Sequence, residues 1–167
     1  MFKEIKSSEL DKNIFEMIAK EWAIITVQAD QKVNAMTASW LQMGHLWNKD
    51  VVTVYVRPQR YTNDFIKKEE TFSVAFFGEG YRKELAYLGV ATGREEDKLE
   101  HCQMSTTLWD NVPIIEQAEV VFVCKKLYQG QLNKEKFLDE DVRETCYEKD
   151  DFHHAYVAEI VHVLVKV

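Results

Sequence analysis

Residues 57–64 read RPQRYTND and stand between the apolar run VVTVYV (51–56) and a helical pattern that begins at Phe65. VVTVYV is typical of a buried strand, so RPQRYTND is predicted to be a strand-to-helix turn. The turn carries Arg57 and Arg60 and places Thr62 at the predicted N-cap of the helix. A helix N-terminus exposes unpaired N–H groups and the positive end of the helix dipole. The segment therefore predicts either a phosphate-binding turn or an ordinary capped helix with two solvated arginines.

Strand-forming patterns dominate the rest of the chain. Apolar runs predict strands at 22–27, 51–56, 71–77, 115–127 and 156–167, and a looser alternation predicts that 33–43 pairs with the first of them. Short helices are predicted at 8–18, 61–69 and 81–88. The segments 44–50 and 106–112 are predicted to be a connection and an irregular stretch, and Pro113 is expected to block continuation.

These elements predict the fold class and the domain count. The strands do not alternate with full-length helices, so a doubly wound parallel sheet is not expected. We predict a mainly β, antiparallel architecture, and a closed or partly closed barrel would remove the sheet edges that such apolar strands expose. No linker or repeat interrupts the chain, so residues 1–167 are predicted to form a single domain.

Composition narrows the class of ligand. The chain is 46% hydrophobic and 29% charged, which is typical of a globular protein. Its net charge of -7 argues against a nucleic acid or an anionic membrane as partner, and a basic turn on such a protein favours a small anionic ligand. The three cysteines lie far apart and the N-terminus lacks an apolar signal segment, so a cytoplasmic location is predicted.

A second candidate segment is NAMTASW (34–40), which combines small residues with a tryptophan. Small side chains let a flat ligand approach the backbone, but the segment taken alone is more typical of a core strand that tolerates polar residues. The five histidines show no metal-ligand spacing, and adjacent His153 and His154 would point to opposite faces of a strand. We therefore predict no metal site and a structural or surface role for all five.

Taken in order, the segments resemble the flavin reductase-like family of FMN-binding split-barrel proteins, which includes flavoredoxins. The resemblance rests on FKEI at the start, NAMTASW, LWNK (46–49), RPQRYT, FSVAFF (72–77), YRKEL (81–85), TGREEDK (92–98), CKKLY (124–128) and the last strand. It implies a split β-barrel with Greek-key connections and a few short helices, FMN as the cofactor, and a homodimer with FMN near the interface.

The resemblance also implies roles for individual residues. The phosphate of FMN would be held by Arg57, Arg60 and Thr62, and Lys98 would lie near the flavin. The isoalloxazine would be lined by the strand that carries Asn34, Met36, Thr37, Ala38, Ser39 and Trp40.

The implied function is an oxidoreductase that passes electrons from NAD(P)H through FMN to an acceptor. The cofactor supplies the chemistry, so no catalytic side chain is assigned. The alternative is a flavoredoxin-type electron carrier between protein partners, since no nicotinamide-binding motif is readable and an acidic surface suits a basic partner. A third possibility, a binding module for haem or a pyridoxal compound, is opposed by the basic turn.

Overall fold

The computed structural model describes all 167 residues and is dominated by β-strands, as predicted. The strands are β1 (Phe2–Ile5), β2 (Ala23–Ala29), β3 (Lys32–Ala38), β4 (Leu41–Leu46), β5 (Lys49–Val56), β6 (Thr71–Phe76), β7 (Thr106–Trp109), β8 (Val112–Ile115), β9 (Val120–Gln131) and β10 (His154–Lys166). The helices are α1 (Ile14–Glu16), α2 (Tyr61–Lys68), α3 (Arg82–Val90), α4 (Lys98–His101) and α5 (Glu140–Cys146). No helix has the length and apolar character needed to cross a bilayer.

Eight strands form one antiparallel sheet, and β10 holds it together. The strand order is β3-β2-β6-β9-β10-β5-β4, and β1 pairs with the end of β10. The first half of β10 pairs with β5, whereas β9 pairs with β10 along nearly the whole length of β10. Because β3 also contacts β5, the sheet curls on itself as a barrel does. β7 and β8 form a separate hairpin.

The central strands are buried on both faces. In β2, Ile25 and Val27 belong to the barrel core, whereas Ile24 belongs to a second apolar cluster outside the barrel. That second cluster includes Leu85 and Leu88 of α3. Burial on both faces explains why these strands are continuous apolar runs in the sequence rather than alternating ones.

The single strand predicted at 33–43 is two strands in the structure. β3 pairs with β2 as predicted, but the chain changes partner at Ser39 and Trp40 and continues as β4 against β5. The connection predicted at 44–50 is wrong for the same reason, because this segment is the β4–β5 hairpin. Its turn residues Trp47 and Asn48 have φ values of 54° and 56°, as a two-residue hairpin turn requires.

The irregular stretch predicted at 106–112 is also wrong, since it contains β7 and the turn into β8. The turn residues Asp110 and Asn111 have φ values of 48° and 63°. Pro113 does not block continuation, because a two-stranded hairpin leaves room for a residue without an N–H. Instead, its carbonyl accepts a hydrogen bond of 2.6 Å from Ser73 Oγ and so ties the hairpin to β6.

The helix predicted at 8–18 is broken into short pieces. Ser7–Glu9 form a 3₁₀ turn, and α1 continues as a π-helix over Met17–Glu21. Asn13 caps α1 by accepting hydrogen bonds from the backbone of Phe15 and Glu16. The apolar periodicity of this segment is therefore satisfied by turns of three different kinds.

Candidate functional site

The β5–α2 turn folds as a strand-to-helix turn, but its cap differs from the prediction. Arg60, not Thr62, occupies the N-cap position of α2. Thr62 lies in the first turn of the helix and is 1% exposed. Its hydroxyl accepts a hydrogen bond of 2.8 Å from Asn34 Nδ2 on β3. The predicted N-cap is wrong because the Thr62 side chain points inward and joins α2 to β3.

A cavity of about 230 Å³ lies where the end of β3 meets β5 and the C-terminus of α3. Seven of the ten predicted site residues line it, namely Met36, Thr37, Ala38, Ser39, Trp40, Arg57 and Arg60. Three further residues complete the lining, namely Tyr55, Gly89 and His153. The other predicted residues, Asn34, Thr62 and Lys98, do not line this cavity.

The end of β3 forms one wall of the cavity. Met36 and Ala38 belong to the barrel core, as the predicted alternation of side chains requires. Thr37 lies on the opposite face, and its hydroxyl donates a hydrogen bond of 2.5 Å to the Leu85 carbonyl of α3. Ser39 and Trp40 follow the strand and are exposed, so the backbone at this end of β3 is accessible to a flat ligand.

Arg60 is held by the C-terminus of α3. Its Nη1 donates to the Gly89 carbonyl at 2.6 Å and its Nη2 donates to the Leu88 carbonyl at 3.1 Å. These carbonyls are the negative end of a helix dipole, which stabilises a cation without neutralising it. Burial lowers the pKa of Arg60, and the guanidinium forms no salt bridge with a carboxylate.

Lys98, the first residue of α4, is a second cation without an acidic partner. It is 4% exposed and forms neither an ion pair nor a hydrogen bond through its ammonium. Burial and the nearby charge of Arg60 lower its pKa to about 8. A buried ammonium beside a half-buried guanidinium, with no carboxylate paired to either, is unfavourable unless an anion compensates them. The Arg60–Lys98 pair therefore has the character of an anion-binding site.

Arg57 lines the same cavity but has a carboxylate partner. Its Nη1 forms an ion pair of 2.5 Å with Asp151, and its Nη2 donates to the Cys146 carbonyl at 2.9 Å. The guanidinium also lies over the ring of Tyr147, 5.3 Å from its centroid. The charge of Arg57 is therefore balanced within the chain.

His153 is a cavity residue that the sequence did not identify. It is 6% exposed, its Nδ1 shares a hydrogen bond of 2.8 Å with the Tyr147 hydroxyl, and its ring lies 5.3 Å from that of Trp40. Burial and the charge of Arg57 lower its pKa to about 4, so the imidazole is neutral at physiological pH. The sequence predicts a structural or surface role for it because the histidines show no metal-ligand spacing, and no local pattern places His153 beside Trp40.

A family model for the flavin reductase like domain matches residues 15–166 of this sequence. The chain belongs to the flavin reductase-like family. A search of curated proteins found no match.

Solved structures of flavin reductase-like proteins share this fold. An FMN-binding domain of a flavin reductases-like enzyme from Shewanella baltica OS155 has a TM-score of 0.72 and 12% identity, over 99% of this chain and 77% of that one. A flavoredoxin from Methanosarcina acetivorans has a TM-score of 0.69 and 19% identity, over 98% and 76%. A structure with a split barrel domain from Shewanella frigidimarina NCIMB 400 has a TM-score of 0.68 and 16% identity, over 88% of this chain and 67% of that one. The fold of this chain is accordingly a split barrel.

In this flavin reductase-like chain, the loop that leads to Lys98 packs closely against β3. The loop before α4 passes β3 at Gly93, where an added Cβ would lie 2.1 Å from Asn34 Oδ1 and 3.1 Å from the Tyr61 ring. Only glycine fits without moving these side chains. The next residue, Arg94, pairs with Asp64 of α2 at 2.5 Å and fixes the loop on that helix.

Proposed function

We propose that this protein binds FMN beside the end of β3 and acts as an oxidoreductase that passes electrons from NAD(P)H through the flavin to an acceptor. The observation that carries the proposal is the Arg60–Lys98 pair, in which a half-buried guanidinium and a buried ammonium both lack an ion-pair partner. FMN brings a phosphate and gains negative charge on reduction, so it supplies the compensation that this pair lacks.

The remaining residues of the site fit a flat, aromatic ligand. Ala38 and Ser39 are small, and the rings of Trp40 and His153 stand at the cavity wall. Asn34 and Thr62, predicted from the resemblance to be cofactor-binding residues, support the site from behind by fastening β3 to α2. Membership of the family, and FMN binding by its structural relatives, support the same ligand.

The bound flavin supplies the hydride and electron chemistry, and this chain supplies binding, orientation and charge. Met36 and Ala38 fix the strand that would face the ring, because their side chains are anchored in the barrel core. No acidic side chain lines the cavity, and the only histidine in its wall is neutral. The proposal therefore assigns no general acid or base.

The test is a visible absorption spectrum of the purified protein, followed by release and identification of the chromophore and by anaerobic addition of NADH or NADPH. We expect a yellow protein that releases FMN and loses its colour when the nicotinamide is added. A protein that is colourless and does not take up added FMN would contradict the assignment.

We further propose that the protein is a homodimer with the flavin near the interface. The cavity of about 230 Å³ is smaller than the roughly 300–1,000 Å³ that pockets for small molecules occupy, so a second chain would complete it. An apolar groove of about 1,100 Å³ begins at Leu41, directly after Trp40, and Leu10, Ile14 and Ile18 also line it. A second copy would cover this groove as the two chains meet around a two-fold axis.

The oligomeric state can be measured by light scattering after size-exclusion chromatography. Phe15 lines the groove and is 86% exposed, so Phe15→Asp should shift the dimer toward monomer. Leu138→Asp is the matched control, because Leu138 is fully exposed and does not line the groove. A monomeric wild-type protein would contradict this part of the proposal.

The alternative is a flavoredoxin-type carrier that exchanges electrons with protein partners and has no nicotinamide site of its own. The net charge of -7 favours it, since it would suit docking of a basic partner. Bound FMN that is reduced by dithionite but not by NADH or NADPH would select the carrier. In either case we propose a cytoplasmic protein, consistent with three unpaired cysteines.

A further inference from the structure

The segment before β10 is fastened to the β5–α2 turn by a group of contacts that we call the clamp, formed by Arg57 and Gln59 with Asp151 and the Cys146 carbonyl. Arg57 binds one carboxylate oxygen of Asp151 at 2.5 Å, and Gln59 Nε2 donates to the other at 2.7 Å. Arg57 also donates to the Cys146 carbonyl at 2.9 Å. Both oxygens of the carboxylate are therefore engaged by the turn.

The clamp is connected to the cavity through Tyr147. This residue lies under the Arg57 guanidinium and stacks on Phe152, with ring centroids 4.7 Å apart. Its hydroxyl shares a hydrogen bond of 2.8 Å with Nδ1 of His153, whose Nε2 has no partner in the chain. A fixed partner on one ring nitrogen restrains the orientation of an imidazole. Tyr147 therefore fixes the orientation of the His153 ring in the cavity wall.

We propose that Arg57 is a positioning residue, which acts with Asp151 through Tyr147 to hold His153 in the wall of the flavin cavity, rather than a ligand of the phosphate. A phosphate at this guanidinium would have to share its charge with the Asp151 carboxylate, whereas Arg60 has no carboxylate partner. The Arg57–Asp151 pair also has no net charge, so it attracts an anion less than the Arg60–Lys98 pair does. This inference rests on the proposed function, because it assumes that the cavity binds flavin.

The two roles of Arg57 predict different results for Asp151→Asn. If Arg57 acts through the clamp, Arg57→Gln and Asp151→Asn each weaken FMN binding by about three- to thirtyfold, and the double variant is no worse than either single one. If Arg57 binds phosphate, Asp151→Asn frees the guanidinium, so FMN affinity stays unchanged or increases. That second result would overturn the proposal.

A control lies in the same segment. Asp150 forms an ion pair of 2.9 Å with Lys134, and both side chains are more than half exposed. Asp150→Asn therefore removes the same charge one residue away without touching the clamp, and it should leave FMN affinity unchanged. An equal loss of affinity in Asp150→Asn and Asp151→Asn would assign the effect to surface charge and overturn the proposal.

A second readout follows His153 itself and does not depend on FMN. The imidazole ¹⁵N chemical shifts of His153 in the flavin-free protein, assigned by comparison with His153→Gln, should be the same in the wild type and in Asp150→Asn. They should change in Arg57→Gln and Asp151→Asn, where the bond between Tyr147 and His153 is no longer held in place. His153 shifts identical in all four proteins would overturn the proposal, whereas a wild type that binds no FMN would contradict the proposed function alone.

Discussion

The two arginines of the β5–α2 turn line the same cavity, yet their partners differ in kind. Arg57 faces the carboxylate of Asp151, and Arg60 faces the carbonyls at the end of α3, with Lys98 nearby. Each guanidinium makes two polar contacts within the chain, but only that of Arg57 has its charge neutralised. The comparison teaches that residue type and spacing can predict a basic turn, whereas the formal charge of the partner decides which arginine can bind an anion.

The Arg60–Lys98 side is the less favourable arrangement for folding. A partly buried ion pair such as Arg57–Asp151 recovers part of its desolvation cost through Coulomb attraction, but two like charges add repulsion to that cost. Strongly perturbed groups that have no structural compensation cluster at functional sites. We therefore expect that a substitution on the Arg60–Lys98 side can weaken FMN binding without lowering the unfolding free energy.

The largest effect is expected for Lys98→Met. Losing one charge-assisted contact should weaken FMN binding by about tenfold to a hundredfold. The flavin-free variant should be at least as stable as the wild type, because an unpaired buried charge is replaced by an apolar chain of similar length. FMN titration and thermal unfolding measure the two quantities, with Lys83→Met on the exposed side of α3 as the control. Unchanged affinity in Lys98→Met would remove this lysine from the site.

Arg60→Gln should weaken FMN binding by an amount close to that of Lys98→Met, but it should also destabilise the protein. The substitution removes the donors to the Leu88 and Gly89 carbonyls, and losing these bonds costs about 1–3 kcal/mol of unfolding free energy. Urea unfolding of the flavin-free protein measures the change in unfolding free energy. A smaller loss of affinity in Arg60→Gln than in Arg57→Gln would reverse the comparison between the two arginines.

The affinity for FMN should fall as the pH rises through about 8. The pKa of Lys98 lies near that value because of its burial and the charge of Arg60, and only the protonated ammonium attracts an anion. Above the pKa, the dissociation constant should increase by up to about tenfold per pH unit. FMN titrations between pH 6.5 and 9.5 test this, and Lys98→Met should lack the transition. A transition that persists in Lys98→Met would belong to another group.

Sequence patterns predicted much of the barrel but little of the pairing within the site. The run at 51–56 and the helix after Arg60 follow from local burial patterns and turn chemistry, and both are present as β5 and α2. The change of strand partner at Ser39 depends on two different neighbouring strands, which no local pattern reports. Asp151 lies 94 positions after Arg57, and that pairing exists only because β10 runs beside β5.

The smallest effect on binding is expected for Thr62→Val. The substitution keeps the shape but leaves Asn34 Nδ2 without its acceptor, which should lower the unfolding free energy by about 1–3 kcal/mol. FMN affinity should change less than in Arg60→Gln, since Thr62 carries no charge and its hydroxyl is bonded to Asn34. Urea unfolding and FMN titration of the same preparation measure the unfolding free energy and the FMN affinity. A loss of affinity as large as that of Arg60→Gln would instead make Thr62 a direct ligand.

The central claim is that the Arg60–Lys98 pair binds the anionic part of FMN. Its most direct test is a comparison of FMN with riboflavin, which lacks the phosphate, by titration of the flavin-free wild-type protein. We predict that FMN binds at least about tenfold more tightly than riboflavin, the gain expected of one charge-assisted contact to the phosphate. Equal affinities, or no binding of either flavin, would contradict the account.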